Sequence, residues 1–235
     1  MMLNILIYRK FKFVSSFYFV KGPSPDKVFL GRCSPIFIKE RIIKIIMNKL
    51  YIFDMGGVLC RDFNDIPVIS NYLGITEENF FIYSGENFRK LLDGKIDSNE
   101  FWLRFSLKYG KKVKEELFGK FFNPGIIQGT KDIIKQLKKS NSRVVCGTNT
   151  IDAHYYYLLN QGVYDIFDEV YASNLMGVSK PDPNFYWHIL NKERIKPENT
   201  VFVDDIEENI ISAQKIGINS ILFTDPDSLK TRLKN

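Results

Sequence analysis

The chain has 235 residues, 45% of them apolar and 14% aromatic, enough to bury a full core in one large domain with a smaller one inserted. Its formal charge of +6 is local: residues 1–46 hold nine Lys or Arg against Asp26 and Glu40, a net +7 that leaves the remainder at −1. That remainder argues against a broad nucleic-acid surface and still allows a small phosphate-seeking pocket. No run of 18 apolar residues occurs, so no transmembrane helix is expected.

Residues 1–46 read as an atypical basic extension, foreign to the fold. Their aromatic stretch from Phe11 to Val20 is flanked by charge and lacks a cleavage-site pattern, so it is not read as a signal peptide. Met47, followed by Asn48 and Lys49, looks like a natural start; the alternative is a basic aromatic anchor at a membrane surface. Cys33, Cys60 and Cys146 are odd in number and lack metal-ligand spacing, which suits free thiols in a reducing cytoplasm.

From Leu50 onward, short β-branched or aromatic runs alternate with longer helical patterns, the signature of parallel strands joined by crossover helices. Strands are expected at 50–53, 143–147, 169–172, 200–203 and 220–223, each apolar enough to be covered on both faces. About ninety residues separate the first two strands, too many for one crossover. Residues 61–123 therefore read as an inserted helical cap, with amphipathic pieces at 84–92, 98–109 (capped at Ser98) and 112–122. Residues 47–60 and 124–235 form the α/β core, an open, Rossmann-like parallel sheet with helices on both faces, and 130–139 leads as a helix into the second strand. Asp182 and Pro183 make a good helix start.

Open sheets of this kind bind ligands beyond the carboxyl ends of their strands. After the first strand comes Asp54-Met55-Gly56-Gly57-Val58-Leu59. After the second comes Thr148-Asn149-Thr150, after the third a loop to Lys180-Pro181-Asp182, and after the fourth Asp204-Asp205. In order and spacing these resemble the four motifs of the haloacid dehalogenase superfamily, and the helical insertion resembles its first type of cap. Within the superfamily the motifs look most like the branch that includes alpha-glucose-1-phosphate phosphatase, with Asn209 after Asp204-Asp205 adding to the likeness.

The resemblance implies a Mg2+-dependent phosphatase acting on a small phosphomonoester, with a sugar phosphate as the expected substrate. Asp54 would be the nucleophile that becomes an aspartyl-phosphate. Asp54, Asp205 and the carbonyl of Gly56 would hold magnesium, and Asp204 would orient the site behind them. Thr148 and the Asn149 amide would bind phosphoryl oxygens, while Lys180 would bind phosphate and keep Asp54 ionised. Gly56 and Gly57 suit a tight turn close to a ligand.

One position departs from the pattern. Most phosphatases of the superfamily carry an acid two residues after the nucleophile, and here that residue is Gly56. General acid–base help is worth about 10² to 10⁴ in rate, so its loss calls for a good leaving group such as an anomeric oxygen, a substitute acid, or reduced activity. Asp62 and Asp65 are the candidate substitutes, against a plainer reading as solvated loop carboxylates. Two other functions stay open: a metal-free dehalogenase-type hydrolase, and a weakly catalytic phosphometabolite-binding protein. His154 and His188, without carboxylates at metal spacing, read as structural or surface residues, and Tyr155-Tyr156-Tyr157 reads as packing between helix and sheet.

Overall fold

The computed structural model describes residues 18–21, 28–31 and 49–234, and the chain divides into two compact units, 1–48 and 49–235. In the first unit, β1 (Tyr18–Lys21) and β2 (Val28–Gly31) pair antiparallel, a hairpin the sequence did not announce. Met47, Cys33 and, apart from these two strands, the stretch 1–46 read as a membrane anchor lie outside the described residues.

The second unit is built on one five-stranded sheet. β3 (Leu50–Phe53), β6 (Arg143–Thr148), β7 (Glu169–Ala172), β8 (Thr200–Asp204) and β9 (Asn219–Leu222) are ordered β7-β6-β3-β8-β9 and run parallel throughout. The chain starts in the centre, builds outward to β7, then returns to the other side of β3. The strand order therefore reverses at β3, where a crevice forms in such sheets.

Side chains alternate along each strand and feed two apolar layers. Leu50, Ile52, Val145 and Phe202 face Phe185, Tyr186, Ile189 and Leu190 of α9 (Pro183–Glu193) and Ile210 and Ala213 of α10 (Glu207–Lys215). Tyr51, Phe53, Cys146 and Val203 face α6 (Gln128–Lys139), α7 (Asp152–Asn160) and α11 (Pro226–Arg232). Tyr155 and Tyr157 pack against this second layer while Tyr156 stays exposed, so the tyrosine run is packing at two positions of three. Cys60 and Cys146 are buried free thiols.

The insertion leaves and rejoins the sheet through β4 (Cys60–Arg61) and β5 (Gly125–Ile126), two-residue strands paired antiparallel. Between them lie α1 (Ile66–Leu73), α2 (Glu77–Ser84), α3 (Glu86–Leu92), α4 (Ser98–Tyr109) and α5 (Leu117–Phe121). Where one helix was expected over 84–92, Gly85 breaks the chain at φ 50° and separates α2 from α3. The expected helix over 112–122 shortens to α5, because the Glu116 side chain accepts from the amides of Phe118 and Gly119 and so starts the helix there. Asp97 caps α4 in place of Ser98, by accepting from the Glu100 amide at 2.8 Å. Phe80, fully buried, centres the insertion's own core among Phe88, Phe101, Trp102, Phe105 and Phe118.

The insertion meets the sheet domain through apolar and polar contacts: Ile151 and Ala153 pack into its core, Phe122 joins the second apolar layer of the sheet, and several hydrogen bonds cross beside them. The Asp93 carboxylate accepts from Ser179 Oγ at 2.5 Å, Arg89 donates to the Ser179 carbonyl at 3.2 Å, and the Ser98 hydroxyl donates to Asp152. Gly94, at φ 60°, lies so close to the Asn174 carbonyl that a Cβ would fall 1.8 Å from its oxygen.

Two outcomes follow from this packing. Phe80→Ala should remove about 3–5 kcal/mol of stability, read as a lowered urea midpoint at unchanged slope. Burial opposes the charge on Asp93, but the Ser179 hydroxyl together with Lys95 and Arg89 holds its carboxyl below the usual range. Its contribution is then full above the ordinary carboxylate pKa and is lost as pH falls through the lowered folded value. An acid titration of Tm should show a shallower acid limb in Asp93→Asn; an unchanged limb would remove Asp93 from the docking of the insertion.

Candidate active site

The side chains singled out in the sequence converge at the carboxyl ends of β3, β6 and β8. Asp54 follows β3 and donates its amide to the Val203 carbonyl at 2.9 Å, fixing it beside β8. Thr148 ends β6 and Asp204 ends β8. Lys180 arrives on the loop between α8 (Ser173–Met176) and α9, where Asp182 caps α9 by accepting from the Asn184 amide and Pro183 is the first helical residue.

Lys180 is 3% exposed. Its Nζ lies 2.8 Å from Asp54 Oδ1 and 2.7 Å from Asp204 Oδ2 and donates to the Gly147 carbonyl at 3.0 Å. All three ammonium protons are thus used, which is what a buried cation requires. Burial opposes its charge, but Asp54 and Asp204 outweigh burial and raise its pKa, so the ammonium stays protonated.

The carboxylates differ in what they have left to offer. Asp204, fully buried, has both oxygens in use: Oδ1 accepts from the Ile206 amide at 2.8 Å and Asn209 Nδ2 at 3.1 Å, and Oδ2 accepts from Lys180 and Asn209. Asp205 has a buried Oδ1 with no partner among the described residues. Asp54, Asp204 and Asp205 each bring a carboxylate oxygen within 4.8 Å of the others. Burial pushes the Asp54 carboxyl up to about 7, with Lys180 opposing and Asp204 adding to the rise; burial and Asp204 raise Asp205 as well. Three carboxylates against one ammonium call for a further cation, and an all-oxygen donor set with one orphaned oxygen fits a hard divalent ion.

The turn after β3 shapes this cluster. Its hydrogen bonds run to the carbonyls of Met55 and Cys60, so the Gly56 carbonyl takes no part in them. Gly57 sits at φ 72°, and a Cβ there would lie 2.0 Å from Asp205 Oδ2. Gly56 has an ordinary φ; a Cβ there would instead meet the ring of Phe63 at 2.8 Å.

Several positioning residues escaped the sequence reading. The Asn149 side chain donates to the Lys180 carbonyl at 2.9 Å and accepts from the Lys180 amide at 2.8 Å, tying the loop after β6 to the lysine. Asp65, a candidate acid in the sequence, is buried and held by His154 Nε2 at 2.9 Å. His154, which has no carboxylate at metal-ligand spacing in the sequence, is half-buried on this carboxylate, and its ring stacks on Phe122 at 3.8 Å. Neither pairing had a local signal, since 89 residues separate Asp65 from His154. Asp62 remains a solvated loop carboxylate, 77% exposed and 3.7 Å from Arg61. His188 is half-buried against the edge of Tyr171.

Residues 48–217 match the haloacid dehalogenase-like hydrolase family, and the chain belongs to it. A sesquiterpene phosphatase of Aspergillus oryzae is 31% identical over 182 residues, covering 75% of this chain and 90% of that protein. A D-ribitol-5-phosphate phosphatase of Bacteroides thetaiotaomicron is 23% identical over 188 residues, covering 74% and 91%. A family enzyme of Bacteroides thetaiotaomicron, solved with magnesium and inorganic phosphate, superposes with a TM-score of 0.64 at 25% identity, over 75% of this chain and 94% of that one.

Gly57→Ala should displace Asp205 and abolish any magnesium-dependent rise in Tm shown by the parent chain. An undiminished rise in the variant would show that Asp205 is not a ligand.

Proposed function

We propose that this chain is a magnesium-dependent phosphatase that hydrolyses a small phosphomonoester through an aspartyl-phosphate at Asp54. The observation that carries the reading is the division of labour among the carboxylates. Asp204 is saturated by Lys180, Asn209 and the Ile206 amide, whereas Asp205 keeps a buried oxygen without a partner among the described residues, beside Asp54. A dehalogenase that needs no cation would have no use for that oxygen.

Asp54, Asp205 and the Gly56 carbonyl would hold magnesium, with Asp204 orienting Lys180 behind them. Bound there, the ion supplies positive charge that offsets the repulsion between a carboxylate and a phosphate dianion. Lys180 adds its fixed charge beside Asp54 and favours the ionised, nucleophilic form against burial. The Thr148 hydroxyl and the Asn149 amide would hold the transferring phosphoryl oxygens, and the clasp between Asn149 and Lys180 keeps those donors and the ammonium in one frame. Asp54 attacks phosphorus, the P–O bond to the alcohol breaks, and water then cleaves the acyl phosphate to release inorganic phosphate and restore Asp54. Docking of the insertion beside Ser179 and Lys180 would exclude bulk water.

The substrate reading is a sugar phosphate, supported by the motif resemblance and by the ribitol-phosphate relative; the sesquiterpene relative makes an isoprenoid phosphate the comparison to run beside it. The buried free thiols suit a cytoplasmic enzyme. Phosphate release should require added magnesium, stop with chelator, and vanish in Asp54→Asn. Release that persists in Asp54→Asn would overturn the aspartyl-phosphate, and release insensitive to chelator would overturn the role of magnesium.

A further inference from the structure

Thr148 and the Asn149 amide, the donors proposed for the phosphoryl oxygens, begin a loop that the sheet domain grips from two sides. One grip is the clasp between Asn149 and Lys180. The other is Ser173, the first residue of α8, which is fully buried. Its Oγ accepts from the amide of Thr150 at 3.0 Å, the residue that follows Asn149 in the chain.

The same hydroxyl also faces the insertion. It lies 2.7 Å from the Leu92 carbonyl and 3.1 Å from the Thr150 carbonyl. A hydroxyl has one proton to give, so the two carbonyls compete for it. Leu92 is the last residue of α3, where carbonyls lack partners within the helix, and it stands nearer. With the insertion docked, a chain of hydrogen bonds therefore runs from the Thr150 N–H through Ser173 Oγ to the Leu92 carbonyl. Bonds in such a chain polarise one another, so the contact with Leu92 strengthens the hold on Thr150. If the insertion withdraws, the proton turns back to the Thr150 carbonyl, which satisfies the hydroxyl and ends the chain. The packing here is close, since a Cβ on Gly94 would fall 1.8 Å from the Asn174 carbonyl oxygen.

We infer that Ser173 is a positioning residue: through Thr150 it makes the hold of Thr148 and Asn149 on a phosphoryl group depend on docking of the insertion at Leu92. This rests on the phosphatase reading and deepens it. Coupling of this kind is reciprocal, so bound phosphate in turn favours the docked insertion.

The test uses the full chain and reads hydrogen exchange at the Thr150 amide by NMR, and the binding of magnesium and of inorganic phosphate by calorimetry. Gly94→Ala changes no residue of the loop after β6, yet its Cβ must lift residues 92–94 from Asn174. Ser173→Ala removes the hydroxyl; Ser173→Cys, a weak donor of similar size, replaces it if the alanine variant does not fold. Expected in each single variant are faster exchange at Thr150 and a phosphate Kd raised about tenfold. Magnesium affinity without phosphate should stay as in the parent, because Asp54 and Asp205 lie on other loops. The double variant Gly94→Ala with Ser173→Ala should bind phosphate no more weakly than Ser173→Ala alone, since both changes break one link. Unchanged phosphate affinity in either single variant overturns the inference. So do effects that multiply in the double variant, which would route the coupling through Asp93 and Ser179, and so does a parallel loss of magnesium affinity, which would mark a general loosening. Each of these leaves the phosphatase reading intact. A parent chain that binds no phosphate in the presence of magnesium overturns the phosphatase reading, and this inference with it.

Discussion

The ammonium of Lys180, buried between two carboxylates and a carbonyl, is the interaction on which the rest of the site depends. Removing one partner of a buried ion pair costs about 3–5 kcal/mol because the other is left uncompensated, and here the lysine compensates both Asp54 and Asp204. It reaches them because β3 and β8 are adjacent and parallel, which puts Asp54 and Asp204 at the same edge of the sheet. The Asn149 side chain grips the lysine's own peptide groups from the end of β6. Three strand ends are thus held in register by one side chain, and the geometry of the site follows from the order of the strands.

The same segment connects the site to the insertion. Ser179, one residue before the lysine, donates its hydroxyl to Asp93 and gives its carbonyl to Arg89. The insertion has its own apolar core around Phe80, which Ile151 and Ala153 of the sheet domain enter, and it meets that domain through these contacts, the Phe122–His154 stack and hydrogen bonds. A hydrogen bond that water can replace contributes only about 0.5–1.5 kcal/mol net, whereas separating an apolar interface exposes surface at about 25 cal/mol per Å². The hydrogen bonds at Ser179 are thus the part of the boundary that water could replace at small cost, and the contacts of Ile151 and Phe122 the part that it could not.

Legibility in the sequence followed the range of each interaction. The strands read well because a run such as Leu50–Phe53, buried at every position, carries its pattern locally, and the motif residues read well because each follows a strand directly. Asn209, noted only as a likeness, proves to be the side chain that saturates Asp204 from five residues away. What the sequence could not show was pairing at long range: Asp65 with His154, Asp93 with Ser179, Asn149 with Lys180. Each joins segments whose proximity is a property of the closed fold, so no local period or spacing could disclose it. The cap helices fell between these cases, since Gly85 and Glu116 are local signals that the broader apolar pattern masked.

Gly56 shows how an absent side chain acquires meaning only from its surroundings. As a sequence feature it is a missing acid, compatible with a good leaving group, an acid supplied from elsewhere or reduced activity. In the structure the space beside it is filled by Phe63, which lies two residues beyond β4, on the segment that carries the chain into the insertion. The ring over Gly56 and the Asp54 carboxylate therefore belong to one segment of ten residues, 54–63. A glycine left by simple loss of an acid would border an open gap that any small residue could occupy. One roofed by an aromatic ring at contact distance is held to glycine by packing, so the bare position is a property of the folded turn.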